Sequence, residues 1–213
     1  MDAIATLDRQ RAAIDVLEHP FYLRWSAGEL SREELALYAG EYRHAVLALA
    51  AASRGAALAA HGPERAGLEA HAREETEHVR LWDAFASEAA GSAREPLAAT
   101  RECARAWTAG EDLLERLAVL YAIEASQPEI SRTKLEGLVR HYGYSHEGPA
   151  CEYFRVHEQR DREHARDARD LIERLLEPLD GEQREKRIAR MHARATGALH
   201  GNWRLLDGVL AGG

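Results

Sequence analysis

The chain is poor in cysteine. Cys103 and Cys151 are its only two, too few and too isolated for a disulfide framework, which fits a reducing compartment. Proline is sparse as well, with six in 213 residues, most of them where a helix would start or stop. Strand-like alternation, linkers and sequence repeats are missing, which argues against a sheet or a repeat array. No long hydrophobic run occurs. The most apolar stretch, Ala45 to Ala52, is far too short to span a bilayer, and Arg54 follows it. The N-terminus carries Asp2 and Asp8 and lacks the basic, apolar, cleavable pattern of a signal peptide. An excess of positive charge is also lacking. The formal charge is −8, and the arginines are interleaved with acids rather than gathered in blocks, which disfavours a nucleic-acid role. The expectation is a cytoplasmic protein with no nucleic acid and no membrane among its partners.

What remains is helix-forming material. Alanine, leucine, glutamate and arginine dominate, and 46% hydrophobic with 30% charged residues is ordinary for a globular protein. Ile4, Leu7, Ile14 and Leu17 share a stripe and predict a first helix ending before His19-Pro20. The segment from Phe21 to Gly28 reads as a tight aromatic connector. Ser31-Arg32-Glu33-Glu34 is a capping-box pattern that starts a helix running to about Ala60. After Gly62-Pro63 a helix covers roughly Glu64 to Ala90, and a shorter one follows Pro96. Another follows Gly110, and Pro128 predicts a kink or break just beyond Glu124. A helical piece then resumes to about Tyr142. A long helix from about Pro149 to Leu176 and a last one from Gly181 to near Leu210 complete an all-α bundle of about seven helices.

The segment from His157 to His164 carries the strongest chemical signal. His157, Asp161 and His164 stand at i, i+4 and i+7 and project from one helix face. Phe154, Ala165 and Ala168 lie near its edges, so the face should point inward. Buried polar groups need partners, which a metal ion supplies; the bland reading is a solvated polar face. The third helix adds Glu74, Glu75 and His78. Glu75 and His78 have the Glu-x-x-His spacing of carboxylate-bridged di-iron bundles, and Glu74, at i, i+4, could serve instead. His71, one heptad before His78, reads as a group beside the ligands or as a surface histidine. Glu124 is a lone acid among apolar residues, and a carboxylate bridging two metals explains it better than a core salt bridge. Histidine with carboxylate ligation suits iron or manganese rather than thiolate-loving ions.

The stretches His19 to Leu30, Tyr121 to Ser131 and Tyr153 to His157 resemble the heme-oxygenase-like di-metal oxidases. Within that group the likeness is to the chlamydia protein associating with death domains and its bacterial relatives, the self-sacrificing para-aminobenzoate synthases of folate biosynthesis. Pyrroloquinoline quinone synthase and thiaminase-II-like (TenA-like) proteins are more distant. The resemblance covers nearly the whole chain and implies a single heme-oxygenase-like helical domain over 1–213. With the spacing it supports a metal set of Glu75, His78, Glu124, His157, Asp161 and His164, in which the i, i+3 geometry favours Glu75 and the family alignment favours Glu74. It further implies two metal ions, Fe/Fe or Fe/Mn, dioxygen as co-substrate and an external reductant. Tyr22 matches the tyrosine consumed as the ring source, Lys134 the amino donor, and Tyr38 and Tyr153 two further tyrosines of that site. Taken alone, each of these would be an ordinary packed aromatic or a solvated lysine. Where the best-known relative has another tyrosine, this chain has Ile123. Dimers are common in this fold, so a homodimer is compatible with the resemblance. The rival functions are a multi-turnover oxygenase acting on an external amine, amino acid or fatty acid, and a non-enzymatic interaction protein.

Overall fold

A computed structural model describes residues 2–91 and 94–212. Among the described residues there are nine α-helices and no strand. They are α1 (Ala3–Ala13), α2 (Pro20–Ala27), α3 (Arg32–Ala59), α4 (Glu64–Glu88), α5 (Ala98–Trp107), α6 (Leu113–Glu124), α7 (Gln127–His141), α8 (Pro149–Leu176) and α9 (Gly181–Gly212). A single 3₁₀ turn, Val16–Glu18, separates α1 from α2. None of these helices is long and apolar enough to cross a membrane.

Local chemistry explains most boundaries. At α3 the Ser31 hydroxyl accepts from the Glu34 amide while the Glu34 carboxylate accepts from the Ser31 amide, the reciprocal box read from the sequence. At α6 the Asp112 side chain accepts from the Glu115 amide. The break expected beyond Glu124 is present: α6 ends there, and α7 begins at Gln127 with Pro128 in its first turn.

One expectation is corrected. The aromatic segment from Phe21 to Gly28 is a helix, not a connector, which raises the count above seven. Pro20 occupies its first position, and His19 Nδ1 accepts from the Phe21 amide at 3.0 Å. Gly28 closes it in the left-handed region at φ 74°. Start and stop signals of this quality hold an eight-residue helix once it packs on α7.

The site lies where α4, α6 and α8 meet. Helix α8 packs on α4, α6 and α7, while α3 packs along α4 and α6. Their apolar faces form one aromatic-rich core around Trp25, Trp82, Phe85 and Phe154. A second, aliphatic core lies around Leu117, Leu171, Ile172 and Met191. Leu68 on α4 touches both.

Candidate metal centre

Helix α4 contributes Glu75 and His78 one turn apart, and α8 contributes His157, Asp161 and His164 over two turns. The last residue of α6 contributes Glu124. All six are buried, with Glu124, His157 and Asp161 at 0% exposure. Glu75 is the hub. Its Oε1 lies 3.1 Å from His78 Nδ1 and 3.7 Å from His164 Nδ1, and its Oε2 lies 3.8 Å from His157 Nε2. His164 Nδ1 also lies 3.5 Å from Asp161. Donor atoms of Glu75, His78 and His157 fall within 4.8 Å of one another, and so do those of Glu75, Asp161 and His164.

Two imidazoles are held with a lone pair turned inward. His157 Nδ1 donates to the Tyr153 carbonyl at 2.8 Å. A carbonyl can only accept, so Nε2 is left as the unprotonated nitrogen. His164 Nε2 donates to Glu74 at 3.2 Å, which leaves Nδ1 facing Glu75 and Asp161. Glu74 therefore differs in kind from Glu75. Its side chain is one-third exposed and takes two hydrogen bonds from Arg160, which hold its carboxyl down at about 2. Such an outer carboxylate fixes the ring it accepts from. Burial opposes ionisation of Glu75, but the hydrogen bond from His78, at 3.1 Å, holds its carboxyl below the usual range. Burial pushes the Asp161 carboxyl well above the usual range, a state that a bound cation would reverse.

The residues fit a pair of metal ions on a direct observation. Both oxygens of Glu124, both of Asp161, His157 Nε2, His164 Nδ1 and His71 Nε2 are buried without a hydrogen-bond partner. Native interiors leave only a few such atoms unpaired per hundred residues, scattered through the fold, whereas here seven converge on the junction of three helices. Histidine and carboxylate donors suit a first-row divalent metal rather than a thiolate-loving ion.

The four residues matched to tyrosine and lysine chemistry lie in the adjoining aromatic core. Lys134, on α7, is 1% exposed. Its Nζ stands 5.1 Å from the Tyr22 ring centroid, 5.4 Å from Tyr38, 4.5 Å from Tyr42, 5.9 Å from Trp82 and 5.7 Å from Phe154. Among the described residues no carboxylate pairs with it. Ring faces attract a cation, but complete burial without a counter-charge dominates and pushes the Lys134 ammonium well below its ordinary pKa. The Tyr22 and Tyr38 hydroxyls are 3.0 Å apart, and burial raises both phenols. Tyr153 sits at the metal end, stacked on His157 at 3.9 Å.

Two residues escaped the sequence reading, and a third was only partly read. His71, expected beside the ligands or on the surface, stands inside the cluster, with Nε2 2.9 Å from Glu124. Trp82 packs 4.9 Å from Tyr153 and 5.9 Å from Tyr38, so it joins the two ends of the aromatic core. Tyr42 lies nearest Lys134 and takes a hydrogen bond from Gln127. Trp82 and Tyr42 gave no signal beyond apolar spacing. Lysine usage was a usable signal for Lys134, which is one of only two lysines in a chain with 28 basic residues.

A helical bundle that buries a two-metal donor set against an aromatic core defines a class, the metal-dependent oxidases. The family model described as iron-containing redox enzyme matches residues 68–198, and the chain belongs to that family. The 4-aminobenzoate synthase of Chlamydia trachomatis serovar D is 35% identical over 175 residues, covering 76% of this chain and 75% of that one. The 4-aminobenzoate synthase of Nitrosomonas europaea is 29% identical over 216 residues, covering 91% and 85%. Among solved structures, a TenA homologue from Pseudomonas syringae pv. tomato superposes with a TM-score of 0.79 at 16% identity, covering 98% of this chain and 91% of that one. The TenA homologue of P. horikoshii gives 0.75 at 18% identity over the full length of both. At such identities the structures establish the all-α, heme-oxygenase-like fold alone.

Proposed function

We propose that this oxidase makes 4-aminobenzoate from its own Tyr22, with Lys134 as the amino donor. The observation that carries the reading is the Lys134 cage: a buried, unpaired amine enclosed by the rings of Tyr22, Tyr38 and Tyr42 beside a two-metal donor set. A solvated structural lysine has no reason to be there, and burying it unpaired costs stability. The 4-aminobenzoate synthase names of the relatives point the same way.

Iron, or iron with manganese, held by Glu75, His78, Glu124, His157, Asp161 and His164 would supply dioxygen activation with an external reductant. The chain's own residues do the rest. His157 and Tyr153 form the contact between the metal site and the aromatic core, and Trp82 continues it to Tyr38. The Tyr38 hydroxyl, on that of Tyr22, is placed to take or return the phenolic proton. Lys134 as a free base offers its nitrogen lone pair to the Tyr22 ring carbon that bears the hydroxyl. A C–N bond forms there as the C–O bond breaks and the oxygen leaves as water. The Lys134 Cε–Nζ bond then breaks to release the amino group, with dioxygen as the oxidant for this cleavage and for the Cβ. The product has seven carbons, so the ring leaves with its Cβ, which becomes the carboxylate, and the Cα–Cβ bond breaks. The surrounding apolar side chains exclude water from a reactive ring.

The test is intact-protein and peptide mass spectrometry after incubation with iron, or iron plus manganese, together with reductant and oxygen. The expected result is 4-aminobenzoate in at most equal amount to protein, with mass lost at Tyr22 and at Lys134. An intact Tyr22 with no product overturns the reading. Product formation that survives Tyr22→Phe assigns the chemistry to an external substrate.

A further inference from the structure

The donor set that the sequence predicts holds three histidines and three carboxylates, yet a fourth histidine shares the cluster. His71 lies on α4 one turn before Glu75 and two before His78. Its Nε2 is 2.9 Å from Glu124 Oε1 and 3.9 Å from Glu75 Oε1, and its ring lies 4.0 Å from that of His164 at 33°. We infer that His71 is a seventh protein ligand, completing with Glu124 and His164 the half of the centre that faces solvent. The inference rests on the metal centre described above but not on the fate of Tyr22.

Three observations separate a ligand from a simple ion pair. First, His71 and Glu124 are close enough to hydrogen-bond but are not aligned for it: Nε2 and both Glu124 oxygens are left without a hydrogen-bond partner. Buried partners of a structural pair would align, because misalignment forfeits the bond that repays their desolvation. Donors aimed at a shared third point have no such need. Second, single donor atoms of His71, Glu124 and His164 lie within 4.8 Å of one another, the same compactness found for Glu75, His78 and His157. Glu75 touches both trios. The seven donors thus divide into two three-residue sets, with Asp161 beside Glu75 and His164. Without His71, the outer set would be only Glu124 and His164, with the shared carboxylates.

Third, the two halves differ in access. A cleft of about 210 Å³ reaches His71 and His164 between Leu68, Leu117, Leu120 and Asp167. It does not touch His78, His157 or Glu75. Exposure alone does not separate the halves, since the His71 side chain keeps 12% and that of His78 10%, but this cleft opens only on the His71 side. The cleft makes the His71 half-site the one a metal would enter through it.

The experiment is metal retention, which needs no turnover. Metal-free protein is loaded anaerobically with ferrous iron, passed through a chelating column and analysed for iron by mass spectrometry. Wild type should hold about two ions per chain and His71→Ala about one, with the second bound about tenfold or more weakly. Free imidazole should restore the second ion to His71→Ala, because the truncated side chain leaves room for the missing ligand. His71→Gln is a second variant in case the alanine form does not fold, and matching melting temperatures of the metal-free proteins exclude a folding defect. Full, equally tight loading of either folded variant overturns the inference and leaves the metal centre standing. Failure of wild type to retain any iron overturns the metal centre itself, and this inference with it.

Discussion

Tyr153 lies flat on His157, with ring centroids 3.9 Å apart and planes 24° apart, and its carbonyl takes the His157 Nδ1 proton at 2.8 Å. One residue thus orients an imidazole of the candidate metal centre through its backbone and covers it with its side chain. The two roles can be separated. Tyr153→Phe keeps the carbonyl bond and the stack and removes only the hydroxyl. Iron retention should be unchanged while the yield of 4-aminobenzoate falls about tenfold or more. Metal analysis beside chromatography of the product reads both, and an unchanged yield would remove the hydroxyl from the chemistry.

Lys134 should cost the fold stability. Lys134→Met replaces a buried amine without a counter-charge by an apolar chain of similar length. The metal-free variant should gain about 1–2 kcal/mol, or roughly 2–8 °C in melting temperature, while product formation is lost. Scanning calorimetry with a product assay checks the pair of outcomes. A destabilised variant would mean that the amine is structural.

Gly137 on α7 faces Trp25, where an added Cβ would stand 2.5 Å from the indole. The same indole donates to the Lys134 carbonyl at 3.1 Å. In an open helix, glycine to alanine gains about 1 kcal/mol. Here overpacking should win, so Gly137→Ala should lose about 1–3 kcal/mol in urea unfolding and shift the tryptophan fluorescence. A stabilised variant would show that the contact relaxes freely.

Glu34 closes the α3 capping box and accepts two hydrogen bonds from Arg24, at 2.5 and 2.9 Å, which lower its pKa from 4.5. A depressed carboxylate contributes stability above its unfolded pKa and loses it as pH falls through the lower folded value. The pair is partly open to solvent, so screening limits its worth. Glu34→Gln should cost about 1 kcal/mol at pH 7 and almost nothing near pH 3. Urea titrations at the two pH values measure this, and a loss independent of pH would contradict it.

The sequence announced the parts of this molecule that local rules control. The capping box at Ser31, the stop before Pro128 and the inward stripe at 157, 161 and 164 all depend on residues within two turns of one another. The helix at Pro20 was hidden because its aromatic content resembles a connector, and its eight residues hold only by docking on α7. His71 was half legible: its heptad spacing to His78 placed it beside the ligands but not in direct reach of them. Its neighbours Glu124 and His164 come from α6 and α8, and only the packing of three helices brings them to it. Glu74 and Glu75 are adjacent in sequence, and the turn of α4 that buries one and gives the other to Arg160 separates them.

Tyr22 fills the middle of the aromatic core at 1% exposure, on a helix only eight residues long. A chain that surrendered this ring would keep a hole in its place, at a cost of about 3–5 kcal/mol. That is a large share of the 5–15 kcal/mol by which a typical domain is stable. Spent molecules would therefore unfold more often than fresh ones and offer themselves to proteases without any added tag. Supply of the product would then follow the rate at which ribosomes make the protein, and a cell could raise it only by translating more chains.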